Sequence, residues 1–230
     1  MTEPTDRMLV IVAARNEADR IGATVSALRG AMPGAEIWVA DDGSTDGTRD
    51  AALAAGAQVV RRGRPHGKGG NMTAAGTAAL DGVPADATGI ALVCDGDLGA
   101  SAAALTGLVD AVADGRCDLA IASFRRRVGG GFGLALRFAR WAIRSRSGYE
   151  AGAPISGQRA MRLEVLRAVL PFARGYGMEV GMTVDAVRAG YRVAEIELDL
   201  EHRATGRTLT GFVHRGAQLR DFMRAWLARR

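Results

Sequence analysis

MLVIVAARNEADRIGATVSALR, residues 8–29, opens on seven apolar residues, turns polar at Arg15-Asn16-Glu17, and then spaces Ile21, Val25 and Leu28 along one side of a helix. A continuous apolar run marks a strand buried on both faces, and apolar residues three and four apart mark a helix packed on it. The same unit recurs down the first half of the chain. The spacing predicts strands over 36–40, 57–61, 89–94 and 117–123. It predicts helices over 17–29, 46–55 (Asp46 as cap), 71–80 and 101–113. Strands alternating with helices at this spacing imply a parallel, doubly wound α/β sheet, whose ligands sit beyond the carboxyl ends of the strands. The polar clusters fall there: Arg15-Asn16-Glu17, Asp41-Asp42 and Asp95-Gly96-Asp97. Further on, residues 154–162 read as a strand or strand pair, 163–170 and 179–189 as helices, 192–200 as a half-exposed strand, and 210–228 as a long C-terminal helix.

The 230 residues suit a single domain with no internal repeat or linker. Such a chain buries roughly 70% of its unfolded surface and needs no staple. Cys94 and Cys117 are too few for a disulfide framework, which points to a reducing, cytoplasmic setting. No signal peptide is read at the start and no run of about 20 apolar residues occurs, which excludes a secreted mini-protein and a membrane span. Charge is unevenly spread. Residues 1–114 carry 9 basic and 15 acidic residues, whereas residues 115–230 carry 21 and 10. Lys68 is the single lysine. The arginine-rich half should face something anionic.

Asp95 and Asp97 stand two apart directly after a strand and repel unless a cation lies between them. A hard ion, Mg²⁺ or Mn²⁺, bound with a diphosphate meets that need, and Gly96 lets backbone and ligand come close. Asp41 or Asp42 could accept from a nucleobase ring N–H or hydrogen-bond a ribose, while Ser44 to Thr48 has the composition of a turn and helix cap. Gly67-Lys68-Gly69-Gly70-Asn71 opens a helix and offers a positive charge to an anion. Glu179 stands among Gly175, Gly177 and Gly181 as either a general base or a first-turn charge favoured by the helix dipole. In residues 125–146, arginines interleave with Phe132, Leu134, Leu136, Phe138, Trp141 and Ile143. The C-terminal helix repeats the theme with Phe212, Leu219, Phe222 and Trp226. Both segments suit either an interfacial helix on anionic lipid or a helix packed on the domain with a solvated charged face.

Taken in order, VIVAARNEADRI (10–21), VADDGSTDGT (39–48), GKGGN (67–71) and CDGDLG (94–99) resemble the family 2 glycosyltransferases, which have the GT-A fold. The likeness runs from residue 8 to about 215. It implies a metal-dependent transfer of a sugar from a nucleotide-diphosphate donor, with the nucleotide-sugar held by Ala13, Arg15, Glu17, Asp41, Asp42, Lys68 and Asp95. It makes Asp97 the direct metal ligand and, with Glu179, a catalytic candidate. Residues 1–124 would be the nucleotide-sugar half and 125–230 the acceptor half. PFARGYGMEVGMTVDAVRAGYRV (171–193) and EHRATGR (201–207) resemble glucosyl-3-phosphoglycerate synthases. That likeness adds His202 to the metal site and turns Arg203 and Arg207 toward a donor or acceptor phosphate. Gly157 and Gln158 match the family's acceptor side. The chain is shorter than those synthases, and its ISGQRA segment differs from theirs. In length it resembles family members that glycosylate polyprenyl phosphates at the inner face of the cell membrane. The acceptor is therefore a lipid phosphate or a small phosphorylated molecule. A nucleotidyltransferase would carry a glycine- and arginine-rich loop where AARNEAD stands. A non-catalytic basic module on nucleic acid fits poorly with few aromatics beside an intact Asp-Gly-Asp. His66, His214 and Asp185 have no assigned role.

Overall fold

The computed structural model describes residues 7–124, 133–198 and 219–229. Its centre is a seven-stranded sheet in the order β3-β2-β1-β4-β6-β5-β7. The strands are β1 (Arg7–Ala14), β2 (Glu36–Asp41), β3 (Gln58–Arg61), β4 (Gly89–Asp95), β5 (Leu119–Phe124), β6 (Arg159–Arg162) and β7 (Val193–Leu198). β3, β2, β1 and β4 are mutually parallel, as the apolar runs predict, and β5 pairs with β7 in parallel. β6 alone runs against its neighbours, pairing antiparallel with β4 and with β5. The sheet is therefore mostly parallel, as expected. The reversal of β6 brings the start of that strand to the edge where β4 ends.

Alternation along β1 feeds two cores. Val10 and Val12 point into a layer with Ile21, Val25 and Leu28 of α1 (Ile21–Ala31), while Leu9 and Ile11 point into the opposite layer. That second layer includes Met72 and Ala75 of α3 (Lys68–Leu80) and Met178 and Met182 of α7 (Met178–Arg188). α2 (Thr48–Ala54), α4 (Thr106–Ala113) and α6 (Leu163–Val169) complete the flanking helices. Ala139, Ala142 and Ile143 of α5 (Leu134–Ser147) meet Val180 and Val184 of α7 and Phe222 of the C-terminal helix α8 (219–227) in a third cluster. Among the described residues no helix is long and apolar enough to cross a membrane.

Several elements start elsewhere than the sequence predicts; β6, for one, begins at Arg159 rather than at residue 154. α1 begins at Ile21 rather than Glu17, because the backbone N–H groups of Asn16, Glu17 and Ala18 donate to Ser44 Oγ, Thr48 Oγ1 and Asp46. α3 begins at Lys68 rather than Asn71, since Gly67 turns the chain at a φ of 75° and Asp42 accepts its N–H. Residues Gly99–Leu105 form a 3₁₀ turn before α4, where one helix was expected from Ser101. Asp46 takes the N–H of Thr48, so its side chain does hold the start of α2, although Gly47 occupies the cap position.

Candidate active site

Register assembles the site. Ala13 lies beside Asp95, Ala14 beside Asp41, and Asp41 beside Arg61, so the polar residues that follow β1, β2 and β4 share one edge. The Asp95-Gly96-Asp97 turn is fastened to this edge. Gly96 N–H donates to the Ala13 carbonyl at 2.8 Å, and Thr24 Oγ1 of α1 meets Gly96 O and Gly99 N, each at 2.8 Å. A side chain at Gly96 would place its Cβ 3.0 Å from Ala13 O and 3.1 Å from Ile21 Cδ1, so the spacing needs glycine.

Lys68, at the start of α3, reaches Asp95 Oδ1 at 2.6 Å and Glu179 Oε1 at 2.8 Å. Gln158 Nε2 donates to the other Asp95 oxygen at 2.8 Å. Gly157 lies against this group: a Cβ there would stand 2.5 Å from Asp95 Oδ2 and 2.7 Å from Lys68 Nζ. Burial opposes the Lys68 charge, but the carboxylates of Asp95 and Glu179 outweigh it and hold the ammonium above the ordinary lysine value. Four expected site residues from both halves of the chain thus form one network with Gly157 packed against it. Asp97 differs. Its carbonyl accepts from Arg20 at 3.0 Å, while its half-buried carboxylate has no partner among the described residues.

The other expected residues have different surroundings. Asp41 is completely buried; its Oδ1 accepts Ser44 N–H at 2.8 Å and its Oδ2 lies 3.5 Å from Arg61. Asp42 accepts the N–H groups of His66 and Gly67 at 2.7 and 3.1 Å, which ties the end of β2 to the loop before Lys68. Glu17 is half-buried and Arg15 exposed. Ala13 contributes the carbonyl that receives Gly96. His202, Arg203 and Arg207 lie outside the described residues, as does the segment 125–132.

Sequence reasoning missed Arg159. Its guanidinium is wholly buried and donates to Ser156 O and Thr183 Oγ1, each at 2.9 Å, joining the turn before β6 to α7. Burial pushes its pKa down to about 10 against the raising effect of Glu179 and Glu195. An arginine in a strand reads as surface, so only the antiparallel position of β6 between β4 and β5 explains it. Tyr176 was missed too. It is half-buried, within electrostatic reach of Lys68 and Arg15, and its N–H donates to Asp221 of α8 at 3.2 Å. A glycine must precede it, because a Cβ at Gly175 would stand 2.1 Å from Asp221 Oδ2.

The helical half is packed in part and exposed in part. Phe222 is buried, and Trp226 Nε1 donates to Ser145 Oγ of α5 at 2.9 Å, so α8 docks on α5 and α7. Leu134, Trp141, Met223 and Leu227 nevertheless stand 64%, 50%, 41% and 45% exposed.

A family model described as glycosyl transferase family 2 matches residues 9–170. An undecaprenyl-phosphate mannosyltransferase of Micrococcus luteus is 30% identical over 218 residues, which span 88% of this chain and 86% of that protein. A glucosyl-3-phosphoglycerate synthase of Mycolicibacterium paratuberculosis is 32% identical over 215 residues, 84% of this chain and 65% of that protein. Among solved structures, the glucosyl-3-phosphoglycerate synthase of Mycobacterium tuberculosis with Mn²⁺, UDP-glucose and glycerol 3-phosphate superposes with a TM-score of 0.73. It is 29% identical, and the match covers 97% of this chain and 80% of that one.

Proposed function

This chain belongs to glycosyl transferase family 2, and we propose that it passes a sugar from a nucleoside-diphosphate donor to a lipid phosphate with the aid of a divalent cation. It is a glycosyltransferase with the GT-A fold and a nucleotide-sugar donor. The observation that carries the finer reading is the contrast between two neighbouring carboxylates. Asp95 is saturated by Lys68 and Gln158, whereas Asp97 has no partner among the described residues.

An open carboxylate oxygen suits a hard ion such as Mg²⁺ or Mn²⁺. Among the described residues no group of three or more His, Cys, Asp or Glu forms a closed cage. Asp97 would therefore hold the ion together with the donor's own diphosphate, and His202 enters on the family resemblance. When bound, the cation neutralises charge on the departing diphosphate. Lys68 keeps Asp95 and Glu179 in place, and Gln158 fixes the second Asp95 oxygen. Residues 1–124 form the donor half, with Ala13, Arg15, Glu17, Asp41 and Asp42 along the nucleoside end. Residues 125–230 form the acceptor half, where Gly157, Gln158, Arg203 and Arg207 meet the acceptor.

The lipid acceptor is supported by the exposed face of α5 and α8. Trp141 and Leu134 on one helix and Met223 and Leu227 on the other are bordered by exposed Arg137, Arg144, Arg220 and Arg224. Apolar anchors with a basic border suit the headgroup region of an anionic membrane, which supports a position at the inner face of the cell membrane. The buried side of the same helix α8 meets the segment before α7, where Asp221 accepts from Tyr176 N–H at 3.2 Å. A phosphate oxygen is already a nucleophile and needs no general base. A second reading, transfer to a small phosphorylated acceptor, is favoured by Glu179: it is buried and held by Lys68, where it could take a proton from a hydroxyl.

Transfer assays decide between them. The purified chain is given UDP-glucose or GDP-mannose with Mn²⁺, Mg²⁺ or EDTA. The acceptor is undecaprenyl phosphate in anionic vesicles or 3-phosphoglycerate in solution, and products are read by mass spectrometry. The expected result is metal-dependent glycosyl lipid. Asp97→Ala should lower that rate about 10³-fold, the scale of removing a metal or charge-stabilising group, while the melting temperature stays unchanged. Product on 3-phosphoglycerate alone would transfer the assignment to the soluble acceptor. No product with any pairing would overturn the donor reading.

A further inference from the structure

Where α8 meets the body of the molecule, glycines stand with no space for a side chain. A Cβ at Gly175 would lie 2.1 Å from Asp221 Oδ2. One at Gly177 would lie 2.8 Å from Asp221 O and 2.9 Å from Ala225 Cβ, and one at Gly181 would lie 2.7 Å from Arg229 Nη2. On its other side the same segment presses on the start of α3. A Cβ at Gly69 would fall 1.8 Å from Ala173 O, and one at Gly67 would fall 3.3 Å from Gly175 Cα. Phe172 N–H also donates to Thr73 Oγ1 at 3.0 Å. Residues 172–177 are therefore clamped between α8 and the start of α3. Lys68 stands between Gly67 and Gly69, and Glu179 lies in the first turn of α7, directly after the clamped segment. The segment thus bears on both ends of the Lys68–Glu179 contact.

One polar group on α8 holds this segment by a directed bond. Asp221 is buried, and its Oδ2 accepts the Tyr176 N–H at 3.2 Å. Its other oxygen lies 3.4 Å from Arg220 Nε and 3.9 Å from Arg224 Nη1 on the exposed side. A buried carboxylate is costly unless its hydrogen bonds are met, so its place here is accounted for by what it orders. We infer that Asp221 is a positioning residue of the transfer reaction: by fixing the Gly175-Tyr176-Gly177 turn from outside the site, it sets the spacing of Lys68 and Glu179. Arg229 Nε donates to Asp185 Oδ1 at 2.7 Å, which seats the far end of α8 on α7 and leaves Asp221 to serve the turn. Met223 and Leu227 lie on the outward side of the same helix. The helix that the lipid-acceptor reading seats on a membrane therefore carries, on its inner side, the group that braces the site.

The proposal rests on the reading of this site as one of sugar transfer, and Lys68 permits a test that does not need it. Lys68 is the single lysine, so acetylation of a lysine amine reports on it alone. An ammonium held between two carboxylates acylates slowly, because the nucleophile is the free amine. The full chain is treated with acetic anhydride, and modification is followed by mass spectrometry of the peptide that bears Lys68. In Asp221→Ala the rate should rise at least about fivefold through local loosening, and glycosyl transfer should fall at least about tenfold. Asp221→Asn keeps an oxygen that can accept the Tyr176 N–H and should return both toward the wild type. Asp118→Asn, which removes a partner of Arg192 before β5, controls for a general loss of stability and should leave both unchanged. If the alanine variant does not fold, Asp221→Ser, whose shorter side chain withdraws the acceptor, takes its place. Wild-type acetylation in the folded variant, undiminished transfer with a loosened Lys68, no recovery in Asp221→Asn, or an equal rise in Asp118→Asn would each overturn the proposal. Absence of transfer by the wild type would overturn the function reading instead, and acetylation would still decide whether Asp221 positions Lys68.

Discussion

At the carboxyl end of β4, Lys68 bridges Asp95 and Glu179; at the opposite end of the sheet, before β5, Asp118 is gripped by Arg192 and Arg162. Both clusters pair carboxylates with cations across large gaps in sequence. They differ in what they leave over. Asp118 accepts Arg192 N, Nε and Nη2 at 2.8, 3.1 and 2.9 Å and lies 3.3 Å from Arg162 Nε, so the set is closed. At the β4 end the network is equally saturated, but it stands two residues from Asp97 and is pressed by Gly157, where a Cβ would stand 2.5 Å from Asp95 Oδ2. A charge cluster is thus informative about function through its unspent neighbour and its close glycine, not through its ion pairs.

The largest effect that would break this comparison is expected from Lys68→Met. The change leaves Asp95 and Glu179 close together without their cation, and breaking a buried pair from one side costs about 2–4 kcal/mol where some solvent reaches it. The folded-state pKa of Lys68 is raised, so its contribution is complete at neutral pH and declines only in strong alkali. The wild type should therefore hold it throughout the working range. Denaturant unfolding of wild type and variant at pH 7 and pH 9 reads both the cost and its constancy. A cost below about 0.5 kcal/mol at pH 7 would make this network as dispensable as a surface pair.

Gly157→Ala sharpens the same point at smaller cost. The new methyl meets only the movable ends of Asp95 and Lys68, so overpacking of about 1–2 kcal/mol is expected rather than misfolding. The carboxylate must shift, however, and transfer should fall at least about tenfold, since small displacements at a reacting centre carry large rate penalties. A variant with wild-type kinetics would mean that the position of Asp95 does not matter to the reaction.

What was legible in the sequence follows from how each feature is encoded. β1, β2 and β4 are largely buried, so each is a mostly apolar run, and the polar residues after them can only lie at the strand ends. That exposed Asp41, Asp42, Asp95 and Asp97 as an edge before any coordinates. The reversal of β6 was not legible: four residues, Arg159–Arg162, carry no direction, and with it the burial of Arg159 and the contact of Gln158 with Asp95 were hidden. The role of Lys68 was seen as an anion contact, whereas its two carboxylate partners lie 27 residues away and on α7.

The weakest expected effect concerns the closed cluster and decides whether the two ends are independent. The hydrogen bonds from Arg192 outweigh the opposing effect of burial and hold the Asp118 carboxyl below the usual aspartate range. A depressed folded-state pKa contributes stability above the unfolded pKa, and that stability disappears as pH falls through the folded value. Asp118→Asn should therefore cost about 1 kcal/mol at pH 7, the scale of a partly exposed ion pair, and the gap from wild type should close in acid. Glycosyl transfer at pH 7 should be unchanged, because β5 separates this cluster from the edge that bears Asp97 by its full length. Unfolding curves at pH 7 and pH 3, with one rate measurement at pH 7, test all three statements. A variant of normal stability but reduced rate would join the two ends through the sheet, and the distinction between a structural and a functional charge cluster would have to be redrawn.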